Sequence, residues 1–254
     1  LELTMDELLT YISCPMRYAL KYNAKFDPKG IPEQEEFKQA LHTCIYYFWC
    51  KIMNENSITN GDLNSKWESL WFGKKNISRE DIMYDGVNKE VKLGYQGFGY
   101  IQSFFNRMQH DPGVPICVAK DFDVPIGDHI IKGTFELIKE TKENGRRIIE
   151  IVDYKISPSM PDKDRIERDI PLTIQSYAFR KLFQAKEQKL TYYYLNHNDS
   201  ISAHRMMHDY NRVTYIVNSV AKSIEDNIYF PREIHNYLCR DQCAYKTYCK
   251  EWPS

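Results

Sequence analysis

The chain has 254 residues, 43% of them hydrophobic and 27% charged. That is enough apolar material for one well-packed core, while no apolar run nears the roughly 20 residues of a membrane helix. A net charge of −1 argues against uniform coating of nucleic acid, though not against an enzyme with a local basic groove.

Seven cysteines in a chain of this length do not suit the disulfide framework of a small secreted domain. The opening Leu1 to Asp6 lacks a basic region followed by an apolar one, so no signal peptide is expected and cytoplasmic location is the default. From Thr4 to Lys21, Leu8, Leu9 and Ile12 recur at helical spacing, and Thr4 with Glu7 predicts a capping box. Further helices are expected over Glu33 to Asn54, Leu63 to Phe72 and Val87 to Met108.

The pattern changes near Pro115. Strands are expected over Ile116 to Val124, His129 to Lys139 and Arg147 to Ile156. The last two flank Glu143-Asn144-Gly145, a hairpin turn signal. A helix over Pro171 to Glu187, a strand pair (Leu190 to Asn196 and Ile201 to His208) and a helix over Arg212 to Asn227 complete the pattern. This order predicts an α/β fold with a mixed sheet. It is read as one domain over 1–254: a helical lobe (1–110), a core (111–230) and a cysteine-bearing tail (231–254).

Two constellations carry chemistry. Asp153 and Lys155 are two apart on a strand and so share a face. Glu136 on the partner strand would meet Asp153 across the hairpin. Such paired acids suit Mg²⁺ or Mn²⁺, which favour oxygen ligands and can activate water at a phosphate. A surface salt-bridge ladder is the plainer reading, but Asp153 follows Ile148-Ile149 and Ile151-Val152, where an idle charge would be costly. His42 lies on an apolar helix face, either as a satisfied core residue or as a third ligand favouring Mn²⁺. The second constellation is Cys239, Cys243 and Cys249, with Cys14 as the candidate fourth thiolate; four thiolates suit Zn²⁺ or an iron–sulfur cluster. Cys44, Cys50 and Cys117 read as core residues.

Together these motifs resemble the PD-(D/E)XK nuclease superfamily, and within it the RecB-like exonucleases with an iron–sulfur staple, which include CRISPR-adaptation nucleases and the AddB nuclease domain. The resemblance rests on Cys14-Pro15-Met16-Arg17-Tyr18, His42, Gly133 to Leu137, Ile151-Val152-Asp153-Tyr154-Lys155 and the cysteine tail. It implies a restriction-endonuclease-like sheet flanked by helices, with an N-terminal helical lobe and a C-terminal staple. It implies that His42, Glu136, Asp153 and the Tyr154 carbonyl bind Mg²⁺ or Mn²⁺, that Lys155 is the catalytic lysine, and that Cys14, Cys239, Cys243 and Cys249 hold a 4Fe-4S cluster.

Three positions depart from the family pattern. Glu136 stands where aspartate is usual, and Lys38 where a small glycine is common. The family's helix motif has a glutamine four residues before a tyrosine; here Thr173 precedes Tyr177 by four, and the glutamine is Gln175. On a helix Gln175 and Tyr177 lie about 200° apart, so either Tyr177 fills the tyrosine's place or Phe179 does, with Tyr177 the preferred candidate.

The expected substrate is DNA, cleaved as an exonuclease from single-stranded ends, with endonuclease action also open. Arg17, Arg165, Arg168 and Arg180 are candidate phosphate contacts. Tyr18, Tyr46, Tyr47, Phe48 and Trp49 are candidate base-stacking surfaces, with core packing as the alternative. There is no Walker A loop, so a helicase or CRISPR-adaptation protein would be a separate partner. A non-catalytic DNA-binding or assembly subunit with an iron–sulfur or zinc site is the alternative function.

Overall fold

A computed structural model describes residues 1–26, 31–55, 57–73, 82–83, 89–110, 112–232 and 243–249. The chain divides into two compact units. One comprises Leu1–Gly30, Asp123–Gly133 and Met207–Ser254; the other comprises Ile31–Phe122 and Thr134–Met206. The first of these units brings together three stretches that are separated in the sequence.

In the first unit, strand β1 (Glu2–Thr4) pairs in parallel with the start of a later strand, Leu3 lying beside Ile131. Helix α1 (Met5–Ser13) begins with the expected capping box: the Thr4 hydroxyl accepts from the Glu7 amide, and the Glu7 carboxylate accepts from the Thr4 amide. The single helix expected to reach Lys21 is broken. Pro15 disfavours helical geometry in the residue before it, and Cys14 is extended, with φ −162 and ψ 107. A short helix α2 (Pro15–Tyr18) and a π-helical turn (Ala19–Asn23) follow.

The second unit holds two short parallel strands, β2 (Ile31–Pro32) and β3 (Ile82–Met83). Helices α3 (Glu33–Glu55), α4 (Asn60–Trp71) and α5 (Lys89–Met108) lie where three helices were expected. Phe37, Leu41, Cys44, Ile45 and Phe48 of α3 recur at helical spacing and are buried against Leu63, Trp67 and Trp71 of α4 and Ile101 and Phe104 of α5. Burial of this stripe holds the three helices together. At Gly97 a Cβ would lie 2.2 Å from the Trp67 ring, so only glycine admits this close approach of α5 to α4.

Strands β4 (Val114–Ile126) and β5 (His129–Glu143) run through both units, and β5 turns back as β6 (Arg146–Lys155). Asn144 and Gly145 carry φ of 51 and 75, the left-handed pair that a two-residue hairpin turn requires. Helices α6 (Lys163–Glu167) and α7 (Ile170–Phe183) then lead to β7 (Lys189–Tyr194) and β8 (Asp199–Ala203). The second unit's strands lie in the order β5-β6-β7-β8, with β4 also on β5; β6 and β7 are parallel and the other neighbours for which register is defined are antiparallel. The β6-to-β7 connection needs a crossover, which α6 and α7 supply. Tyr154 and Tyr193 face Phe104 of α5, while Asp153 and Tyr192 face α7. The result is an α/β arrangement: a mixed sheet flanked by helices, consistent with the restriction-endonuclease-like expectation.

Helix α8 (Met207–Glu225) and the short α9 (Lys246–Cys249) return to the first unit. The Tyr11 hydroxyl donates to the Ile228 carbonyl at 2.6 Å, and the Met16 amide donates to the Phe230 carbonyl at 3.0 Å. The Phe26 and Tyr248 rings stack with centroids 4.5 Å apart. Among the described residues, no helix is long and apolar enough to cross a membrane.

Candidate active site

The hairpin register pairs Leu137 with Val152; continued by one residue, it sets Glu136 opposite Asp153. The alternation of β6 returns Lys155 to the face of Asp153, and the Lys155 ammonium lies 2.7 Å from Asp153 Oδ1. The lysine side chain remains 39% exposed, whereas that of Asp153 is only 5% exposed. Helix α3 brings His42 to the same place, its Nδ1 3.1 Å from Glu136 Oε1. The other carboxylate oxygen of Glu136 accepts from the Tyr154 amide at 2.7 Å. Thus His42, Glu136, Asp153 and Lys155, together with the Tyr154 backbone, are linked through one set of contacts.

The position of α3 is fixed from the opposite face of β6. The Trp49 indole donates to the Tyr154 hydroxyl at 2.6 Å in a buried hydrogen bond. Trp49 lies seven residues beyond His42, close to two full turns, so both lie on the sheet-facing side of α3.

Helix α7 supplies Gln175, which is 2% exposed. Its Nε2 donates to Asp153 Oδ2 at 3.3 Å, while its Oε1 is buried without a hydrogen-bond partner. Gln175, the glutamine displaced from the family spacing, therefore reaches the acid. Tyr177 is half-buried farther round the helix, with the Lys181 ammonium 5.6 Å from its ring centroid. Asp169 caps α7 by accepting from the Leu172 amide at 2.9 Å, and the same Oδ1 accepts from the Tyr192 hydroxyl at 2.7 Å. Tyr192 is the β7 neighbour of Asp153, and the Lys155 ammonium lies 4.8 Å from its ring centroid. Neither Asp169 nor Tyr192 stands out in the sequence. The only trace is the Tyr192-Tyr193-Tyr194 run, which says nothing of register until β6 and β7 are paired.

The electrostatics follow from burial. Burial and the Glu136 charge push the Asp153 carboxyl up to about 6, against the opposing pull of Lys155. Burial also penalises a charged Glu136, but His42, Lys155 and the Tyr154 amide together hold its carboxyl below the ordinary range. Burial works against a charged Lys155, yet Asp153 and Glu136 raise its ammonium above its usual value. Burial, Glu136 and Asp153 hold the Tyr46 phenol above its ordinary value. Among the described residues, no group of three or more His, Cys, Asp or Glu side chains is arranged to hold a metal ion. In this geometry Glu136 is held by His42 and Asp153 by Lys155.

Other expected contacts fall elsewhere. Arg180 forms a two-bond ion pair with the buried Glu187, at 2.9 and 2.7 Å. Arg165 and Arg168 are exposed, and Arg17 is partly buried. Tyr18, Phe48 and Trp49 are core residues rather than stacking surfaces, because their rings are needed to fill the interiors of their units. Tyr46 and Tyr47 remain partly exposed, as do Cys50 and Cys117, which were expected in the core; Cys44 is buried. Cys14, Cys243 and Cys249 are partly exposed, and Cys14 Sγ accepts from the Arg17 amide at 3.4 Å. Cys239 lies outside the described residues.

The solved structure of SSO0001 is 14% identical, covers 65% of this chain and 80% of its own, and aligns with a TM-score of 0.36. No curated protein matches the chain. A family model for the PD-(D/E)XK nuclease superfamily matches residues 2–250, spanning the hairpin, α3 and α7 together. The chain therefore belongs to the PD-(D/E)XK nuclease superfamily.

Proposed function

We propose that this protein is a metal-dependent DNA nuclease acting as an exonuclease on single-stranded ends. The observation that carries this reading is the buried Asp153, whose carboxyl is pushed up by burial and by Glu136 while Lys155 stands 2.7 Å away and still open to solvent. An acid in that state holds negative charge that a cation would relieve.

The donor chemistry fits Mg²⁺ or Mn²⁺. Asp153 and Glu136 supply hard carboxylate oxygens, the Tyr154 carbonyl another oxygen, and His42 an imidazole that favours Mn²⁺. When bound, such an ion polarises a phosphate oxygen and generates a hydroxide nucleophile at neutral pH. The protein's own groups do the remaining work. Lys155 orients the attacking water or neutralises charge developing on the phosphate. Gln175 keeps Asp153 in one orientation, and Tyr177 is the candidate tyrosine of the helix motif. Arg165 and Arg168 are exposed cations for phosphate contact.

The test is cleavage of end-labelled single-stranded DNA with Mn²⁺ or Mg²⁺. Lys155→Ala should lower the rate by about 100-fold or more while DNA binding is retained, and chelation should abolish cleavage. Equal degradation by wild type and variant would sink the catalytic reading and favour a non-catalytic DNA-binding or assembly subunit. Circular substrates separate exonuclease from endonuclease action.

The proposal extends to a 4Fe-4S staple held by Cys14, Cys239, Cys243 and Cys249, supported by the spacing of the tail cysteines and by the partial exposure of Cys14 and Cys243. Anaerobic purification should give a brown protein containing iron, and Cys14→Ser should bleach it. Stoichiometric zinc in a colourless protein would replace the cluster with a zinc site. Recruitment by a helicase or a CRISPR-adaptation complex is the partner reading to test by reconstitution.

A further inference from the structure

Lysine is a compact charge on a flexible four-carbon stem. A salt bridge to one carboxylate oxygen fixes the distance of such a head group but not its direction. Lys155 has a second restraint. Its ammonium lies over the Tyr192 ring, 4.8 Å from the centroid, and an aromatic face attracts a cation placed above it. The arrangement is built into the sheet. Tyr192 is the parallel neighbour of Asp153, and Lys155, two residues further along β6, returns to the same face and folds over the ring.

The ring is itself held. Tyr192 is 4% exposed, and its hydroxyl donates to Asp169 Oδ1 at 2.7 Å. That oxygen also caps α7 through the Leu172 amide. From the same helix, Gln175 holds the second oxygen of Asp153. Both restraints on the Asp153–Lys155 pair therefore lead back to one carboxylate at the start of α7.

We propose that Tyr192, anchored by Asp169, is a positioning residue for Lys155: its ring fixes the direction in which the ammonium presents itself to substrate. The consequence for rate rests on the nuclease reading above; the contact itself does not.

Two measurements separate these claims. In protein labelled with ¹³Cε-lysine, Lys155→Arg identifies the Lys155 signal, which the ring beneath should shift upfield. Tyr192→Leu should abolish that shift and Tyr192→Phe should keep it. In DNA cleavage, Tyr192→Leu should lower kcat about tenfold with KM unchanged, and Tyr192→Phe should stay within roughly threefold of wild type. Added to Lys155→Ala, Tyr192→Leu should cost nothing further, because its effect passes through the missing lysine.

An unshifted Lys155 signal in wild type, or one unaltered by Tyr192→Leu, overturns the proposal. So does a Tyr192→Leu penalty as large without Lys155 as with it. If Tyr192→Leu does not fold, Tyr192→Met serves, and Tyr192→Phe still tests whether the ring suffices. Wild-type protein that cleaves no DNA refutes the nuclease reading, while the lysine signal still decides the contact.

Discussion

At the scale of single residues, Asp153 makes the clearest demand. Its carboxyl is held at about 6 against an ordinary 3.8, first by burial and then by Glu136. The folded protein therefore binds this proton more tightly than the unfolded chain does. The contribution of this group to stability is fully present below the unfolded value, is lost as pH rises from about 4 through about 6, and stays absent above that. The gap corresponds to roughly 3 kcal/mol at most. Asp153→Asn keeps the neutral shape, so at pH 8 with chelator it should melt several degrees above wild type, with the difference gone at pH 4. Adding Mn²⁺ should raise the melting temperature of wild type but not of the variant. A variant that melts lower at pH 8 would show that losing Lys155's partner outweighs the relief of the buried charge. The core of this site was legible in the sequence, because a strand's period of two places Asp153 beside Lys155 and the turn at Asn144-Gly145 sets Glu136 opposite. Tyr192 and Asp169 were not, because parallel pairing of β6 with β7 depends on the crossover's geometry and leaves no local signature.

At the scale of elements, α7 is the piece whose placement decides the most. Asp169 fixes its start. The buried Arg205 reinforces that end, donating to the Thr173 hydroxyl at 2.7 Å and to the Ile166 carbonyl at 2.8 Å. The far end is held by the Arg180–Glu187 pair, to which the Ser176 hydroxyl adds a bond at 2.7 Å. Glu187 follows the helix, past the left-handed Gln184 that ends it, so the pair closes the chain back on α7. Glu187→Ala removes the buried carboxylate that both the guanidinium and the hydroxyl bond, and should destabilise by roughly 3 kcal/mol in urea unfolding; a loss under about 1 kcal/mol would mean the pair behaves as an exposed one. Hydrophobic periodicity revealed α7 but not its partners, and so Arg180 was read as a phosphate contact. The same limit applies to Phe48 and Trp49, whose aromatic chemistry suits both stacking and core packing until the facing helices are known.

At the scale of the whole molecule, the first unit is assembled from stretches far apart in the sequence. Leu8 of α1 is fully buried there. Leu8→Ala should cost about 2–5 kcal/mol. It should speed hydrogen exchange together in residues 5–18, 123–133 and 213–221, while residues 148–155 keep their protection. Faster exchange confined to α1 would show that the three stretches do not open as one. Periodicity assigned most elements within this unit, but it gave no hint of the grouping, which depends on contacts such as Tyr11 to Ile228. That contact also sets an order during biosynthesis. The segment carrying β1 and α1 is synthesised well before its partners in α8 and beyond. At typical elongation rates it waits on the order of 10–40 s with Leu3, Leu8 and Tyr11 still unburied. A message truncated before α8 would leave that segment permanently without its partners, a substrate for chaperones and proteases whatever the state of the nuclease site.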